Sequence, residues 1–372
     1  MSLMTTTRFS ADELYEIVAT YASFGNHHTG TPADAQTTAW LIDVLRSLGA
    51  SAHEDPFEFD RFVCTVDLRI GEGIVPALGV FYSAVGDWRT RDLSVVDLDA
   101  SIVGNPRGLD PYLDADPDAE ALVFAINGLD DHPVQCNRVP QMRASGRPAV
   151  IIPGNWAERV RGADAELTFS AALESGHSAN VIATLGSTDA KVINITTPLT
   201  GWTPAGGERG TGLAVALAMA VDLAADHHVT LSVCSGHEID HIGLNHYLAS
   251  RDVVGWPVVH LGASVAAVEP TSTGPAGLGD QRMVLTTANG ELRDVIGSRV
   301  AAANWRLTEA SPWPGEGGNW FEAGASVLSF LGGSSLFHTT ADTAAAATTP
   351  QAMATAAEVA IDAARLFLAS HR

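Results

Sequence analysis

The 372-residue chain contains only three cysteines, Cys64, Cys136 and Cys234. They are too few and too widely spaced for a disulfide framework or a zinc knuckle, so they read as core or reduced thiols. Basic residues are also scarce, with 21 Lys and Arg against 43 Asp and Glu and a net charge of -22. Such a surface repels phosphate backbones and anionic membranes, which argues against nucleic acid and membrane as partners. No run of about eighteen apolar residues is present, and the opening MSLMTTTRFSADEL lacks an apolar signal core, so a cytoplasmic protein is the default expectation. No internal repeat is visible.

What is present is a globular composition, 46% hydrophobic with 35 glycines, long enough for one large or two ordinary domains. The acidic surplus is concentrated between Asp92 and Glu120, which reads as a solvated loop region. Ser10 with Glu13 three residues later forms a capping box ahead of Leu14, Ile17, Val18 and Tyr21, predicting a helix of about three turns. A second helix is predicted from Thr31 as cap and Pro32 as first residue, through Leu41, Val44 and Leu45 to a stop at Gly49. Between them, His27 and His28 occupy a Gly/Thr-rich loop, either as surface or capping residues or as pocket lining. After Ala50 the pattern turns to short strands (FVCTVDLRI, VPALGVFY, ALVFAI, AVIIP) with a helix expected around Arg138 to Ser145. From Ala179 strands and helices alternate to the end of the chain, which implies a largely parallel sheet covered by helices.

The densest chemistry lies in Val229–Leu248, VTLSVCSGHEIDHIGLNHYL. A β-branched apolar run stops at Ser235-Gly236, and apolar residues resume at helical spacing, so the stretch reads as a buried strand turning into a helix. The carboxyl end of such a strand is where open α/β sheets bind ligands, and here it carries His237, Glu238, Asp240 and His241. HEIDH also fits the HExxH zinc pattern. Against that reading, the helix would begin at the motif itself, and Gly243 and His246 each fall one residue short of the extended pattern. A third alternative is that these polar residues only solvate a strand end.

The order of segments resembles the zinc aminopeptidase family that also includes glutamate carboxypeptidase and glutaminyl cyclase. HHTGTPADAQTTAWLIDVLRSLGA is similar to that family's first two helices, SGHSANVIATLG to its strand after an insertion, SGHEIDHIGLNHYL to its Glu-Glu helix, and LFHTTADT to its late His segment. MRASGRPAVIIPG is similar to a helix and strand of the protease-associated domain. The resemblance implies a three-layer α/β/α zinc-exopeptidase-like sandwich formed by residues 1–56 and 179–372. A β-rich protease-associated-like domain would be inserted at 57–178.

At the active-site positions the chain departs from the family. TTPLTGW puts Thr197 and Leu199 where the family has a His and an Asp. GGERGTG puts Glu208 at the bridging Asp and Arg209 at its Asn. His237 replaces the general-base Glu, while Glu238 keeps the ligand Glu. Gly262 replaces a later Asp, and His338 keeps the last His. By resemblance, Glu208, Glu238 and His338 would hold at most one zinc ion, with His237 deprotonating water or serving as a ligand itself. Alternatively Arg209, if it points inward, neutralises a carboxylate in place of metal.

The expected function is a hydrolase acting on an amide or peptide-like small substrate, with His237, Glu238 and Arg209 as catalytic residues. Trp202, Trp313, Trp320 and His241 are expected at the substrate, and Asp342 is expected to cap or orient. The alternatives are a non-catalytic binding relative or a metal-independent His/Glu enzyme. A homodimer is compatible with the sequence.

Overall fold

The computed structural model describes residues 8–371 apart from positions 106, 128–130, 143, 272–273 and 280. Both predicted opening helices form. In Ala11–Ser23, Ser10 accepts from the Glu13 backbone while the Glu13 side chain reaches back to Ser10. Leu14, Val18 and Tyr21 face the core. Pro32–Ser47 starts on the Thr31 cap.

A large mixed sheet carries the site. Its four central strands, in the order Ser326–Gly332, Pro257–Leu261, Val192–Pro198 and His228–Cys234, run parallel. Antiparallel strands extend both sides, Arg282–Thr286 beside Ser326–Gly332 and Ala165–Leu185 beside His228–Cys234. The parallel strands are largely buried on both faces because helices cover them. Thr211–Leu223, buried along its whole length, packs with Pro350–Ala369 and Ala11–Ser23 on one face. A second cluster on the other face contains Leu244, Tyr247, Val258 and Trp320.

Residues 57–178 carry a smaller sheet, ordered Leu78–Gly79, Ala149–Pro153, Ala121–Asn127 and Leu93–Asp99. The boundary between residues 57–178 and the rest of the chain is not a loop, because the main sheet itself crosses it. Ser51–Ile70 and Ala165–Leu185 form one antiparallel ladder whose register runs unbroken from Ser51↔Thr184 to Ile70↔Ala165, straight through the expected boundaries at 56/57 and 178/179. Such a ladder has backbone bonds on both sides of the junction, so it offers no hinge.

The helix expected around Arg138 to Ser145 does not form among the described residues of that span, and position 143 lies outside them. Pro140 opposes a helix there, and tertiary contacts draw the segment out. Arg138 is buried, with its Nε donating to the Phe81 carbonyl (3.2 Å) and Nη1 to Asp110 (3.0 Å). No described helix is long and apolar enough to cross a membrane.

Candidate functional site

The site lies at the carboxyl ends of the parallel strands. After Val192–Pro198 the chain turns into a wide π-type turn, Gly206–Gly210, that opens the buried helix Thr211–Leu223. Gly206 and Gly207 are required by crowding: a Cβ on Gly206 would meet the Ala344 backbone at 2.7 Å, and one on Gly207 would meet Ala347 at 2.6 Å. Asp342 holds this turn, its two oxygens accepting from the Gly207 and Glu208 amides at 2.8 and 3.0 Å. Burial, and then the charge of Glu208, push the Asp342 carboxyl up to about 7. The expectation that Asp342 caps or orients fits this geometry.

The turn presents Glu208 and Arg209, each about 1% exposed. Arg209 points inward. Its Nη2 lies 2.7 Å from Glu208 Oε1 and its Nε donates to the Thr200 carbonyl at 2.9 Å. His338 approaches the same carboxylate, with Nε2 3.4 Å from Oε1. Burial would raise the Glu208 carboxyl, but Arg209 and then His338 outweigh it and hold the group at about 2. Glu208 therefore stays ionised without a metal.

Glu238 is held separately. Its Oε1 accepts from both the backbone N–H and the hydroxyl of Thr29, each at 2.6 Å, and its Oε2 from the Thr200 hydroxyl at 2.9 Å. The Thr200 hydroxyl in turn accepts from the Gly236 amide at 2.8 Å.

The motif HEIDH is not on a helix. His237–Ile239 is a single tight turn, Asp240 and His241 adopt left-handed backbone (φ 68° and 55°), and the helix begins only at Ile242. The i, i+4 argument for His237 and His241 as a zincin pair thus loses its geometric basis. The rings do lie together, 4.6 Å between centroids, but each Nδ1 is engaged elsewhere. His237 Nδ1 is 3.1 Å from Glu316 Oε1, and His241 Nδ1 is 2.8 Å from Asn319 Oδ1. The His237 side chain is 19% exposed and the Glu316 side chain fully buried. Burial, and then Arg209, drive His237 well below the usual imidazole range, and burial pushes Glu316 up to about 8. The tautomer with hydrogen on Nδ1, donating to Glu316, leaves the Nε2 lone pair free.

The residues present do not fit a zinc ion as they stand. The described residues include no group of three or more His, Cys, Asp or Glu side chains placed to hold a metal. Glu208 is already paired with a fixed cation, both Glu238 oxygens are occupied by donors, and Thr197 and Leu199 are no substitute for a His and an Asp. A buried guanidinium beside a dication would also repel it. Hence Glu208, Glu238 and His338, the set that the family resemblance implied for zinc, share a region without forming a ligand shell.

The remaining expected residues divide. Trp202 is 6% exposed, donates its indole N–H to Asn137 at 2.8 Å and packs edge-on against Phe81, which anchors the smaller sheet to the site loop. Trp320 is fully buried against Tyr247 and belongs to the core, which corrects its expected place at the substrate. Trp313 is half-buried and stacks on Phe321. His27 and His28 are buried rather than on the surface, His27 stacked on Tyr21 at 3.9 Å and His28 against Phe81 and Trp202.

Sequence reasoning did not single out Thr29, Thr200, Gln135, Glu316 or Asn319. Glu316 had one available signal, a lone carboxylate in the Gly- and Trp-rich stretch PWPGEGGNWF. The others are ordinary polar residues whose roles depend on long-range approach.

No family model and no curated protein matches the sequence. Solved structures do match over nearly the whole chain. The zinc aminopeptidase BSAP of Bacillus subtilis superposes with a TM-score of 0.74 at 15% identity, covering 96% of this chain and 94% of that one. An M28 peptidase precursor from Shewanella amazonensis gives 0.69 at 15% identity, covering 95% and 92%. The aminopeptidase of Aneurinibacillus sp. strain AM-1 gives 0.61 at 17% identity, covering 96% and 93%. At such identities the likeness concerns the backbone alone, and by that measure this chain has the α/β fold of the zinc aminopeptidases.

Proposed function

We propose that the chain is a peptidase-like hydrolase of small amide substrates that works without zinc. One observation carries this reading: a buried guanidinium, Arg209, sits on Glu208 at 2.7 Å, at the position where the family resemblance puts the metal-bridging carboxylate. An arginine supplies a fixed positive charge and directed N–H donors. Both stabilise negative charge developing on a carbonyl oxygen, which is the electrostatic part of a metal's work. His237 occupies the position of the family's general-base Glu. Backed by Glu316 and partly open to the cleft, it supplies a neutral imidazole for deprotonating water. Glu238, with three donors on its oxygens, and His338 act as positioning groups. The unit at 57–178 is read as a protease-associated-like domain walling the substrate cleft.

A second reading is favoured by the pairing of charges within the site. Glu208 is paired with Arg209, and Glu238 is satisfied by threonines, as in a fold that has lost its metal and only binds.

The deciding experiment is turnover of a panel of aminoacyl, N-acyl and simple amides by protein dialysed against a chelator and checked for metal content. Unchanged turnover after chelation, falling at least about 100-fold in His237→Ala, supports the hydrolase. Turnover restored only by added zinc overturns the metal-independent reading. No turnover on any substrate leaves the binding protein.

A further inference from the structure

A cavity of about 750 Å³ lies where residues 57–178 meet the end of the strand Ser326–Gly332. That volume falls within the range of about 300–1,000 Å³ usual for small-molecule sites. The cavity is separate from the site described above. None of Glu208, Arg209, His237 and Glu238 lines it, although Phe337 in its wall stacks on His338 at 3.9 Å between ring centroids.

The lining is divided in character. Val103 and Val134, each 6% exposed, belong to one apolar cluster, and Phe337 packs against that cluster. Glu269, Gln281, Gly333 and Ser335 make the polar part, and no described Lys or Arg lines the cavity. The Glu269 carboxylate is held through one oxygen. Its Oε2 accepts from the Ser335 amide at 3.2 Å and from the Ser335 hydroxyl at 2.8 Å, while no described residue donates to Oε1. Oε1 and the Gly333 carbonyl oxygen are also near neighbours. A Cβ on Gly279 would lie 3.6 Å from each of them, and nothing beyond the adjacent residues comes closer to that point.

Two acceptors and one negative charge call for a cation that carries N–H donors. A guanidinium binds a carboxylate best as a fork across both oxygens, and Oε2 is already taken twice by Ser335. An ammonium is a point charge with three donors and needs only Oε1 and the carbonyl. A divalent metal ion would find too few oxygens, since calcium takes about six to eight. The valines and Phe337 suit an apolar body behind the charge. We infer that this cavity binds a primary amine with an aryl or alkyl body, its ammonium on Glu269 Oε1 and the Gly333 carbonyl. The inference does not rest on the hydrolase reading.

The test is calorimetric titration of the full chain with 2-phenylethylamine, its N,N,N-trimethyl analogue and 2-phenylethanol. Salt is held at about 0.15 M to screen the general attraction of a chain of net charge -22. The trimethyl compound keeps the charge without N–H donors, and the alcohol keeps a donor without the charge. The amine is expected to bind at least about tenfold more tightly than either, because a site built to hydrogen-bond a group discriminates against analogues that leave its polar atoms bare. Glu269→Gln, with its fold verified by circular dichroism, should abolish the preference. No binding of the amine, equal binding of the trimethyl compound, or an undiminished preference in Glu269→Gln overturns the assignment. None of these results bears on amide turnover, because no residue of the proposed chemistry is altered.

Discussion

The Nδ1 of His338 lies 3.0 Å from the Gln135 carbonyl, and the Gln135 amide donates at 2.9 Å to the His338 carbonyl. Val134 and Thr339 form the next antiparallel bridge. The smaller sheet's connecting segment is thereby sewn to the site. A ring nitrogen facing a carbonyl must carry hydrogen, so this contact orients the ring and turns its Nε2 towards Glu208. Gln135 is itself locked, its side chain donating to the Gly79 carbonyl at 3.0 Å and accepting from the Cys136 amide at 3.1 Å. Together with the unbroken ladder, this joins residues 57–178 to the rest of the chain by backbone hydrogen bonds at two separate places.

Removing Arg209 alone should be severely destabilising. Arg209→Met strands Glu208 as an ionised group in the interior, and breaking a buried pair in this way costs about 3–5 kcal/mol. Arg209→Met combined with Glu208→Leu should recover most of that loss. Urea denaturation of the two variants measures it; a single variant within about 1 kcal/mol of the parent would mean that the pair is hydrated or not formed.

Thr29→Val keeps the shape of the side chain but removes the hydroxyl that donates to Glu238 and lies 3.0 Å from Thr200 Oγ1. A hydrogen bond to a charged group contributes about 1.5–3 kcal/mol, so a loss of that size is expected in thermal or urea unfolding. An unchanged midpoint would show that Glu238 is not held from this loop.

Acid should weaken the fold partly through His27. Burial beneath Tyr21 lowers its imidazole to about 4 from the usual 6.5. Below pH 6.5 the unfolded chain takes up a proton that the folded chain refuses. Stability is therefore lost as pH falls from 6.5 to 4 and not further, by up to about 3 kcal/mol at 1.36 kcal/mol per unit. Asp34 acts oppositely: burial raises it to about 6, so its contribution improves as pH falls from 6 towards the ordinary carboxylate range. The clean measurement is the difference between the parent and His27→Phe, whose pH slopes should diverge between 6.5 and 4. Parallel slopes would mean that His27 titrates normally.

The ladder makes a dynamic prediction. Amide hydrogens of residues 52–62 and 172–182 should exchange slowly and together, with no fast break at 56/57 or 178/179, because the register is continuous there. Hydrogen exchange followed by mass spectrometry reads this directly, and a rapidly exchanging pocket of amides at those positions would reveal a hinge after all.

The opening helices were legible because their signals are local. Ser10 with Glu13, and Thr31 with Pro32, satisfy backbone donors within one turn, and the structure honours both. The motif at 237–241 was legible as chemistry but not as geometry. Its period suggested a helix, whereas the left-handed backbone at Asp240 and His241 delays the helix to Ile242. Arg138 shows the same limit, since Asp110 and the Phe81 carbonyl draw it out of an expected helix.

By itself the sequence determined the α/β alternation, the capped starts of the two opening helices, and the loss of zinc-competent side chains at 197, 199 and 262. These follow from residue type and from contacts within a turn or two. Only the tertiary structure decided that Arg209 points inward onto Glu208, that Glu238 is claimed by a threonine 209 positions away, that Glu316 stands behind His237, and that one ladder of the main sheet runs through both ends of residues 57–178. Each of these depends on where a buried polar group finds its partner, and burial makes that pairing obligatory without making it local.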